Sequence, residues 1–255
     1  MLPAELDTIA RLETTFWWYR GMNRLFLELL DRELAGREPT RILDAGCGTG
    51  RMALGLERRY AARVHALDLE LRGLSHGRRL GVQSLVRGDI RALPYRDGAF
   101  PLVVSLDVLV HLPAGDEAIA LSEFTRVLEP GGLLALRVAA FSALRSRHSM
   151  HVGERQRFRL STLRSAASDA GLHCRYCTYA NTLLLPLAFL KFRLWEPLTR
   201  AEPASGVRPM PRAVNQLMEQ FFRLEGRWLQ SGFSFPVGQS IILFARKPEQ
   251  LGPTR

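Results

Sequence analysis

The segment RILDAGCGTG, residues 41–50, constrains the fold of this 255-residue chain more than any other feature. A short apolar run ends at Asp44 and Ala45, and glycines follow at positions 46, 48 and 50. A strand that turns through closely spaced glycines into a helix lets the main chain approach a ligand where a side chain would clash. The sequence therefore predicts a strand, turn and helix that together form a ligand site.

Short apolar runs and helical periods alternate along most of the chain. Predicted strands cover 41–45, 64–68, 84–87, 102–106, 132–139, 172–179 and 240–246. Helical spacing covers 51–60, 70–80, 116–128 and 161–170. Apolar strands that alternate with helices indicate a parallel sheet covered on both faces. We predict an α/β fold with a seven-stranded, mostly parallel sheet.

Two regions lie outside this alternation. Residues 1–38 are predicted to form an N-terminal helical cap around the aromatic residues 16–19. Residues 181–237 are not needed by a minimal sheet, and we predict a mostly helical insertion or substrate lid there, with a helical stripe over 215–230. The sheet domain then comprises 39–180 and 238–248.

The composition limits the classes of function. A hydrophobic content of 47% supports a full core, and the net charge of +10 raises the alternative of a nucleic-acid or anionic membrane partner. Only Lys191 and Lys247 are lysines, and the arginines are spread among acidic residues, so the charge focuses potential weakly. Because no apolar leader and no run of eighteen apolar residues is present, we expect a cytoplasmic protein.

The three cysteines are too few for a disulfide framework. Cys174 and Cys177 have CxxC spacing, but on a strand their thiols are expected to face opposite sides of the sheet. No second pair is present to complete a zinc site. We expect both residues to serve in packing, and we expect no metal.

The glycine spacing distinguishes between cofactors. A dinucleotide enzyme would have its third glycine one residue later, where Arg51 stands, so a pyrophosphate cofactor is disfavoured. Asp68 ends the second predicted strand, where a carboxylate can accept both hydrogen bonds of a ribose diol. A turn or a helix cap is the alternative role for a lone aspartate. Asp89 follows the third strand as a second acid, and the set favours a nucleoside ligand.

Four segments in order, residues 42–50, 66–68, 88–90 and 126–132, resemble the class I S-adenosylmethionine-dependent methyltransferases. Residues 13–21 and 236–240 are similar to those of a bacterial subgroup, the type 11 methyltransferases. The resemblance covers about residues 40–140, and it implies a Rossmann-like fold that binds S-adenosylmethionine and releases S-adenosylhomocysteine. The family usually has an aspartate where Pro101 stands, which puts the start of the fourth strand in doubt.

The resemblance also implies the cofactor-binding residues. The glycine turn would hold the methionine part, Asp68 the ribose hydroxyls, and Asp89 with the backbone of Ile90 the adenine. The aromatic residues 16–19 would lie over the cofactor as a lid, with Arg20 as a partner of its carboxylate; packing of a helix on the sheet is the alternative. The full predicted set is Trp18, Arg20, Asp44, Gly46, Cys47, Gly48, Gly50, Asp68, Leu69, Asp89, Ile90 and Leu106.

Candidate catalytic and acceptor-binding residues follow the fourth and fifth strands, at the sheet edge where ligands bind in such folds. Methyl transfer from a sulfonium depends mainly on alignment, and a base is needed only if the acceptor keeps its proton. His111 is a candidate base, and Asp107 and His151 are further catalytic candidates. His148, Arg155 and Arg157 are predicted to bind an acidic acceptor. Structural histidines and a solvated charged loop are the alternatives.

Three functions stay open at this point. The first is methyl transfer to an oxygen, nitrogen or carbon of a small aromatic, lipid-like or acidic acceptor. The second, nucleic-acid methylation, is disfavoured because residues 105–111 lack the Asn/Asp-Pro-Pro-aromatic signature of enzymes that methylate base amines. The third is a non-catalytic protein that keeps the cofactor fold and contacts a membrane surface through residues 183–195 and nearby arginines. The acceptor and the oligomeric state are left open.

Overall fold

The computed structural model describes residues 3–199 and 202–249. In this part of the chain one sheet contains β1 (Arg41–Ala45), β2 (Arg63–Asp68), β3 (Ser84–Arg87), β4 (Phe100–Leu106), β5 (Leu128–Ala139), β6 (His173–Ala180) and β7 (Ser240–Arg246). Its strand order is β3-β2-β1-β4-β5-β7-β6. Strands β1 to β5 are parallel, and β7 runs antiparallel between β5 and β6. The predicted seven-stranded, mostly parallel sheet is confirmed.

Ten α-helices accompany the strands in the described residues: α1 (Pro3–Leu12), α2 (Trp17–Leu34), α3 (Arg51–Tyr60), α4 (Leu71–Leu80), α5 (Asp116–Val127), α6 (Arg147–His151), α7 (Leu160–Asp169), α8 (Leu185–Phe189), α9 (Glu196–Thr199) and α10 (Arg212–Gln230). A π-helical stretch, Leu190–Trp195, joins α8 to α9. Within residues 3–199 and 202–249, no helix combines the length and the apolar character needed to cross a membrane.

The two faces of the sheet carry separate cores because side chains alternate along each strand. In β1, Ile42 packs with Leu25 of α2 and Leu56 of α3 on one face. Leu43 packs on the other face, in the core that α5 and α7 complete. Asp44 therefore lies on the same face as Ile42, toward α3, and the residues on either side of it in β1 are buried. Since β2 and β4 flank β1, the chain leaves β1 at the point where the strand order reverses, which is where ligands bind in open parallel sheets.

Helix α10 packs along α2 and completes the layer of helices on that face. The Phe222 ring lies 5.9 Å from that of Trp17, and a Cβ on Gly21 would meet Phe222 at 2.3 Å. The side chain of Asn215 accepts a hydrogen bond from the Trp17 backbone N–H at 2.9 Å. The longest helix of residues 181–237 thus packs against the core.

A buried carboxylate of α10 fixes the start of the insertion. Glu225 is 1% exposed, and its oxygens accept hydrogen bonds from the backbone N–H groups of Asn181, Thr182 and Leu183. Burial raises the pKa of the Glu225 carboxyl, and these hydrogen bonds oppose the shift. Hydrogen bonding of this kind offsets the free energy of burying a charge. The chain after β6 thus leaves the sheet in a defined direction.

Shifts of register in β4 and β6 decide the predictions made for Pro101 and for the two cysteines of β6. The register of β4 against β5 shifts between Phe100 and Leu102, so Pro101 stands in a bulge, where a missing N–H removes no ladder hydrogen bond. A second shift lies between Cys174 and Tyr176 in β6. The prediction that Cys174 and Cys177 face opposite sides was wrong, because this bulge turns both onto the α7 face, where their thiols contact each other.

Candidate cofactor and acceptor site

A cavity of about 1000 Å³ lies at the carboxyl ends of the central strands. Its walls come from the glycine turn after β1, from α1 and α2, from the loop after β5 and from parts of the insertion. This volume is at the upper end of the range for small-molecule sites, roughly 300–1,000 Å³. The predicted site residues that line it are Trp18, Asp44, Gly46, Cys47, Gly48, Asp68, Leu69, Asp89, Ile90, Leu106, Asp107, His111, His148, His151, Arg155 and Arg157.

The glycine turn is held against β2 and admits no side chain at its start. The backbone N–H groups of Gly46 and Cys47 both donate to the Leu67 carbonyl, at 2.7 and 2.9 Å. Gly46 has a φ of +93°, and a Cβ there would lie 2.2 Å from a methyl group of Val108. Helix α4 approaches the same turn so closely that a Cβ on Gly73 would lie 2.4 Å from the Gly48 carbonyl oxygen.

Gly73 was not among the sequence predictions. The sequence feature that could have predicted its role is Gly77 one turn later, because two glycines four residues apart leave one side of a helix without side chains, so that another segment can approach closely. Gly50, which was predicted to bind the cofactor, does not line the cavity. A Cβ on Gly50 would lie 2.9 Å from the Cα of Gly77, so Gly50 serves the contact between the turn and α4.

Asp44 presents a buried carboxylate oxygen without a partner. Its side chain lies at the base of the glycine turn, the residue is 1% exposed, and Oδ2 has no hydrogen-bond donor in the described protein. Burial, with a smaller contribution from the charge of Asp68, raises the pKa of Asp44 to about 7. A buried carboxylate is costly unless a cation or donor meets it. The cavity therefore offers a buried carboxylate oxygen without a partner, which a positively charged ligand can meet.

Asp68 and Asp89 line the cavity and differ in their hydrogen-bond partners. Asp68 accepts the backbone N–H of Gly48 at 2.7 Å and that of Glu70 at 2.8 Å, and each carboxylate oxygen keeps further acceptor capacity. Asp89 is engaged by Arg91, whose Nη2 lies 2.6 Å from its Oδ2. The hydrogen bonds from Arg91 lower the pKa of Asp89. Asp68 thus keeps more hydrogen-bond acceptor capacity for a ligand than Asp89 does.

Helix α1 and the residue that follows it are tied to the glycine turn, α3 and α4 by hydrogen bonds and ion pairs. Glu13, at the end of α1, accepts a hydrogen bond from the Thr49 hydroxyl at 2.7 Å, with Arg51 Nε 3.4 Å away. Asp7 pairs with Arg72 and His76 of α4, each at 2.7 Å. Hydrogen bonding by Arg72, more than by His76, lowers the pKa of Asp7. Helix α1 thereby covers the glycine turn.

Arg20 lies outside the cavity, contrary to the expectation that it meets the cofactor's carboxylate. Its side chain is 50% exposed, and its Nε lies 3.3 Å from Glu219 of α10. Trp18, two residues earlier, does line the cavity, and the Arg137 guanidinium lies 4.9 Å from its ring centroid. The helical period of α2 separates the two side chains, because residues two positions apart in a helix point about 200° apart.

Asp107 and Arg137 form an ion pair in the cavity wall. Arg137 of β5 is 4% exposed, and its Nε and Nη2 donate to Asp107 Oδ2 at 2.9 and 2.7 Å, while Nη1 donates to Asn23 at 3.2 Å. Asp107 has a φ of +58°, an uncommon conformation for a residue with a side chain. A carboxylate held in this way is a fixed anion, which argues against Asp107 as a free base. The sequence feature that could have marked Arg137 as a site residue is its charge within an otherwise apolar run of β5.

Three histidines line the cavity. His111 Nδ1 lies 3.3 Å from the Gly153 carbonyl, which keeps a proton on Nδ1 and leaves Nε2 as the acceptor. Burial lowers the pKa of His111. His148 Nδ1 instead accepts the Gly206 N–H at 3.0 Å, so its neutral ring carries the proton on Nε2. His151 Nε2 lies 3.3 Å from Glu5.

Glu5 is a buried carboxylate that sequence reasoning missed. It is 2% exposed, accepts the Ser205 hydroxyl hydrogen bond at 2.8 Å, and also stands 3.9 Å from His148. It brings together α1, α6 and the insertion, three segments that are distant in sequence. No local pattern marks such a residue, because a glutamate in the first turn of a helix is usually placed there by the helix dipole.

The two predicted acceptor-binding arginines differ in availability. Arg157 donates to Glu154 at 2.8 Å, to the Ala140 carbonyl at 3.0 Å and to Ser149 at 2.7 Å, so its donors hold the loop after β5 together. This argues against the predicted acceptor contact for Arg157. Arg155 lines the cavity, and its guanidinium makes no ion pair within the described residues. Arg155 is the one of the two whose charge is free for a ligand.

Comparisons with known proteins agree with this geometry. Residues 43–136 match a protein family described as a methyltransferase domain. This part of the chain is therefore a methyltransferase domain of the class I S-adenosylmethionine-dependent kind. The malonyl-[acyl-carrier protein] O-methyltransferase of Geobacter sulfurreducens is 39% identical over 170 residues, which cover 60% of this chain and 61% of that protein. The chain therefore matches less than two thirds of that relative's length.

Solved structures share the fold of this chain at low sequence identity. The geranyl diphosphate C-methyltransferase of Streptomyces coelicolor, solved with S-adenosyl-L-homocysteine, is 19% identical, with coverage of 87% of this chain and 75% of that chain and a TM-score of 0.57. The cyclase SpnF is 20% identical, with coverage of 91% and 83% and a TM-score of 0.59. Because a cyclase shares the architecture, the fold alone does not define the reaction.

Proposed function

We propose that this protein transfers a methyl group from S-adenosylmethionine to an oxygen, nitrogen or carbon of a small acceptor that carries an anionic group and an apolar part. The observation that carries the proposal is Oδ2 of Asp44, a buried carboxylate oxygen beside the glycine turn that has no partner among the described residues. A cofactor with a cationic methionine end offsets the cost of this buried anion, whereas a neutral ligand does not.

The residues of the cavity suit the parts of that cofactor. Asp44 would hold the ammonium group, Asp68 the ribose hydroxyls, and the apolar side chains of Ile90 and Leu106 the adenine. When bound, S-adenosylmethionine supplies a methyl group on a sulfonium, whose thioether is a good leaving group. The protein then has to align the acceptor and exclude water. Trp18 and the helices tied by Glu13 close the cavity over this position.

For acceptors that keep a proton at neutral pH, His111 is the proposed base. The Gly153 carbonyl fixes its tautomer, so Nε2 can take the acceptor's proton while Nδ1 stays protonated. The lowered pKa keeps the ring neutral at pH 7, as a base requires. His151 is the second candidate, because Glu5 can orient its ring and stabilise the charge that a transferred proton would bring.

The charges of the cavity separate into two ends. At the cofactor end the arginines are paired with acids, as Arg51 is with Glu13 and Arg137 with Asp107. At the other end Arg155 and Lys191 have no ion-pair partner within the described residues. The two relatives named above act, by their names, on a malonyl thioester and on a diphosphate, both of which are anionic. An anionic acceptor with an apolar part is consistent with this arrangement.

Calorimetry and a turnover assay test the proposal in sequence. Titration of S-adenosylhomocysteine into the wild-type protein should show binding, and Asp68→Asn should weaken that binding at least tenfold. Asp169→Asn, at an exposed helix end outside the cavity, is the matched control and should bind like the wild type. Well-folded wild-type protein that gives no heat would contradict the cofactor assignment.

Turnover is then measured as S-adenosylhomocysteine release with malonyl thioesters, isoprenoid diphosphates and aromatic acids as acceptors. We expect at least one anionic class to be methylated and Arg155→Ala to raise its KM with little change in kcat, because a charge remote from the reacting atoms contributes mainly to binding. Binding of the cofactor without turnover of any class would indicate that the chain uses this fold for another purpose, as the cyclase does.

A further inference from the structure

The helical segment after β6 exposes an unusually large apolar surface. Between residues 183 and 198, seven large apolar side chains are 41–80% exposed: Leu183, Leu187, Phe189, Leu190, Leu194, Trp195 and Leu198. Single exposed apolar residues are ordinary on a protein surface, but a contiguous set marks a binding surface for a protein, a ligand or a membrane. We refer to these seven residues as the apolar face.

A groove beside this face extends the apolar surface. It has a volume of about 550 Å³, and it lies between the segment and the loop after β5. Its lining contains no polar or charged side chain: Phe141, Ala143, Leu144, Leu185, Pro186, Phe189, Leu190 and Val237. The groove and the apolar face share Phe189 and Leu190, so the two form one continuous surface.

The charges around this surface have one sign. Lys191 and Arg193 are the exposed charged side chains of residues 183–198, and both are basic. Glu196, the one acid there, is occupied, because it accepts the Arg147 backbone N–H at 2.9 Å. The neighbouring residues 142–151 contain Arg145 and Arg147 and no acid. The surface is therefore apolar at its centre and positive at its edge.

An apolar centre with a positive edge distinguishes between the possible binding partners of this surface. Two copies of the chain that met face to face would bring like charges together, which disfavours self-association through this surface. A nucleic acid would be attracted by the charge but offers no apolar partner for seven exposed side chains. An anionic bilayer satisfies both features, since its headgroups attract lysine and arginine and its interface accepts leucine, phenylalanine and tryptophan.

We propose that residues 183–198 dock this protein peripherally on an anionic membrane surface, with Leu194 and Trp195 inserted at the level of the headgroups. Lys191 and Phe192 of the same segment line the main cavity. Docking therefore turns the acceptor side of the cavity toward the bilayer, where amphiphilic molecules concentrate. The docking itself does not depend on methyl transfer and is measured without an acceptor.

Vesicle flotation of the full chain tests the proposal. In about 0.1 M salt the wild-type protein should float with vesicles of phosphatidylcholine and phosphatidylserine at 7:3 and stay behind with phosphatidylcholine alone. Leu194→Gln combined with Trp195→Gln should lower the bound fraction at least tenfold. Arg193→Glu should lower it about fivefold or more, because each basic side chain near such a surface contributes about a factor of five.

A second exposed apolar stripe supplies a matched control. Leu217 and Leu224 of α10 are 57% and 54% exposed and lie outside the apolar face. Leu217→Gln with Leu224→Gln should float like the wild type. Unchanged melting temperature and unchanged S-adenosylhomocysteine affinity show that each variant is folded.

Three results would overturn the proposal. They are equal flotation with neutral and anionic vesicles, flotation of the Leu194 and Trp195 variant at the wild-type level, and loss of flotation in the α10 control. Light scattering adds a fourth readout: a wild-type dimer that the Leu194 and Trp195 substitutions convert to monomer would assign the surface to a second copy instead.

Discussion

Replacement of Asp44 by asparagine should stabilise the protein without ligand and weaken cofactor binding at least a hundredfold. The carboxylate is buried beside the glycine turn, and its Oδ2 has no partner among the described residues. Its pKa is raised from 3.8 to about 7, mainly by burial. Asparagine has nearly the same shape and no charge, so the substitution removes the cost of ionisation and keeps the packing.

The size of the effect follows from the pKa. The shift of about 3 units corresponds to about 4 kcal/mol at 1.36 kcal/mol per unit. Because the folded pKa exceeds the unfolded one, the folded protein keeps a proton that the unfolded chain has lost between about pH 4 and pH 7. Stability of the wild type therefore falls as the pH rises through that window. The advantage of Asp44→Asn should grow by about 2–3 kcal/mol from pH 5 to pH 8.

Urea unfolding at several pH values measures this difference, with Asp169→Asn as a control that should show no such trend. Calorimetry at pH 6 should show release of about one proton for each S-adenosylhomocysteine bound, since the bound ammonium favours the ionised carboxylate. Asp44→Asn should bind at least a hundredfold more weakly. A stability difference that is independent of pH, or an Asp44→Asn variant with wild-type affinity, would refute the reasoning.

Three further predictions concern other parts of the site. Gly73→Ala should lower S-adenosylhomocysteine affinity more than tenfold in calorimetry, because the new Cβ would stand 2.4 Å from a carbonyl oxygen of the glycine turn. Gly55→Ala is the control: a Cβ there meets no atom within 4 Å, so this variant should bind normally and gain about 0.5–1 kcal/mol of stability. Glu225→Gln should lower the free energy of unfolding by about 2–3 kcal/mol in urea, because an amide cannot accept all three backbone N–H groups; an unchanged midpoint would contradict its role. The wild-type methylation rate should be flat above neutral pH and fall at pH values below the lowered pKa of His111. His111→Gln should lose about 10²–10⁴-fold in kcat and should also lose this pH dependence, and the same profile in the variant would assign the titration to another group.

Much of the fold was predictable because the signals are local. The alternation of apolar runs with helical periods predicted the strands to within a few residues, and β5 alone begins clearly earlier, at Leu128, than the predicted 132. The glycines, Asp44 and Asp68 were marked by their position at strand ends. A parallel sheet brings all such ends to one edge, so their clustering followed from topology.

Other features depended on contacts that no sequence pattern records. The bulge in β6 decided the orientation of Cys174 and Cys177, and the packing of α10 on α2 decided that this helix covers the core. A one-residue shift reverses the faces of a strand, and the sequence carries no separate mark for it.

The amino-acid sequence by itself determined the sheet, the glycine turn and the acids beside it, because periodicity and backbone freedom act over a few residues. The tertiary structure decided which charges are free. Arg157 and Asp107 are engaged within the protein, whereas Asp44 Oδ2 and the Arg155 guanidinium have no partner among the described residues. Whether a charge is available to a ligand depends on how the loops and strands around it fold. The partner of Asp107, Arg137, lies 30 residues away, and even the near neighbours of Arg157 reach it only through the shape of the loop after β5.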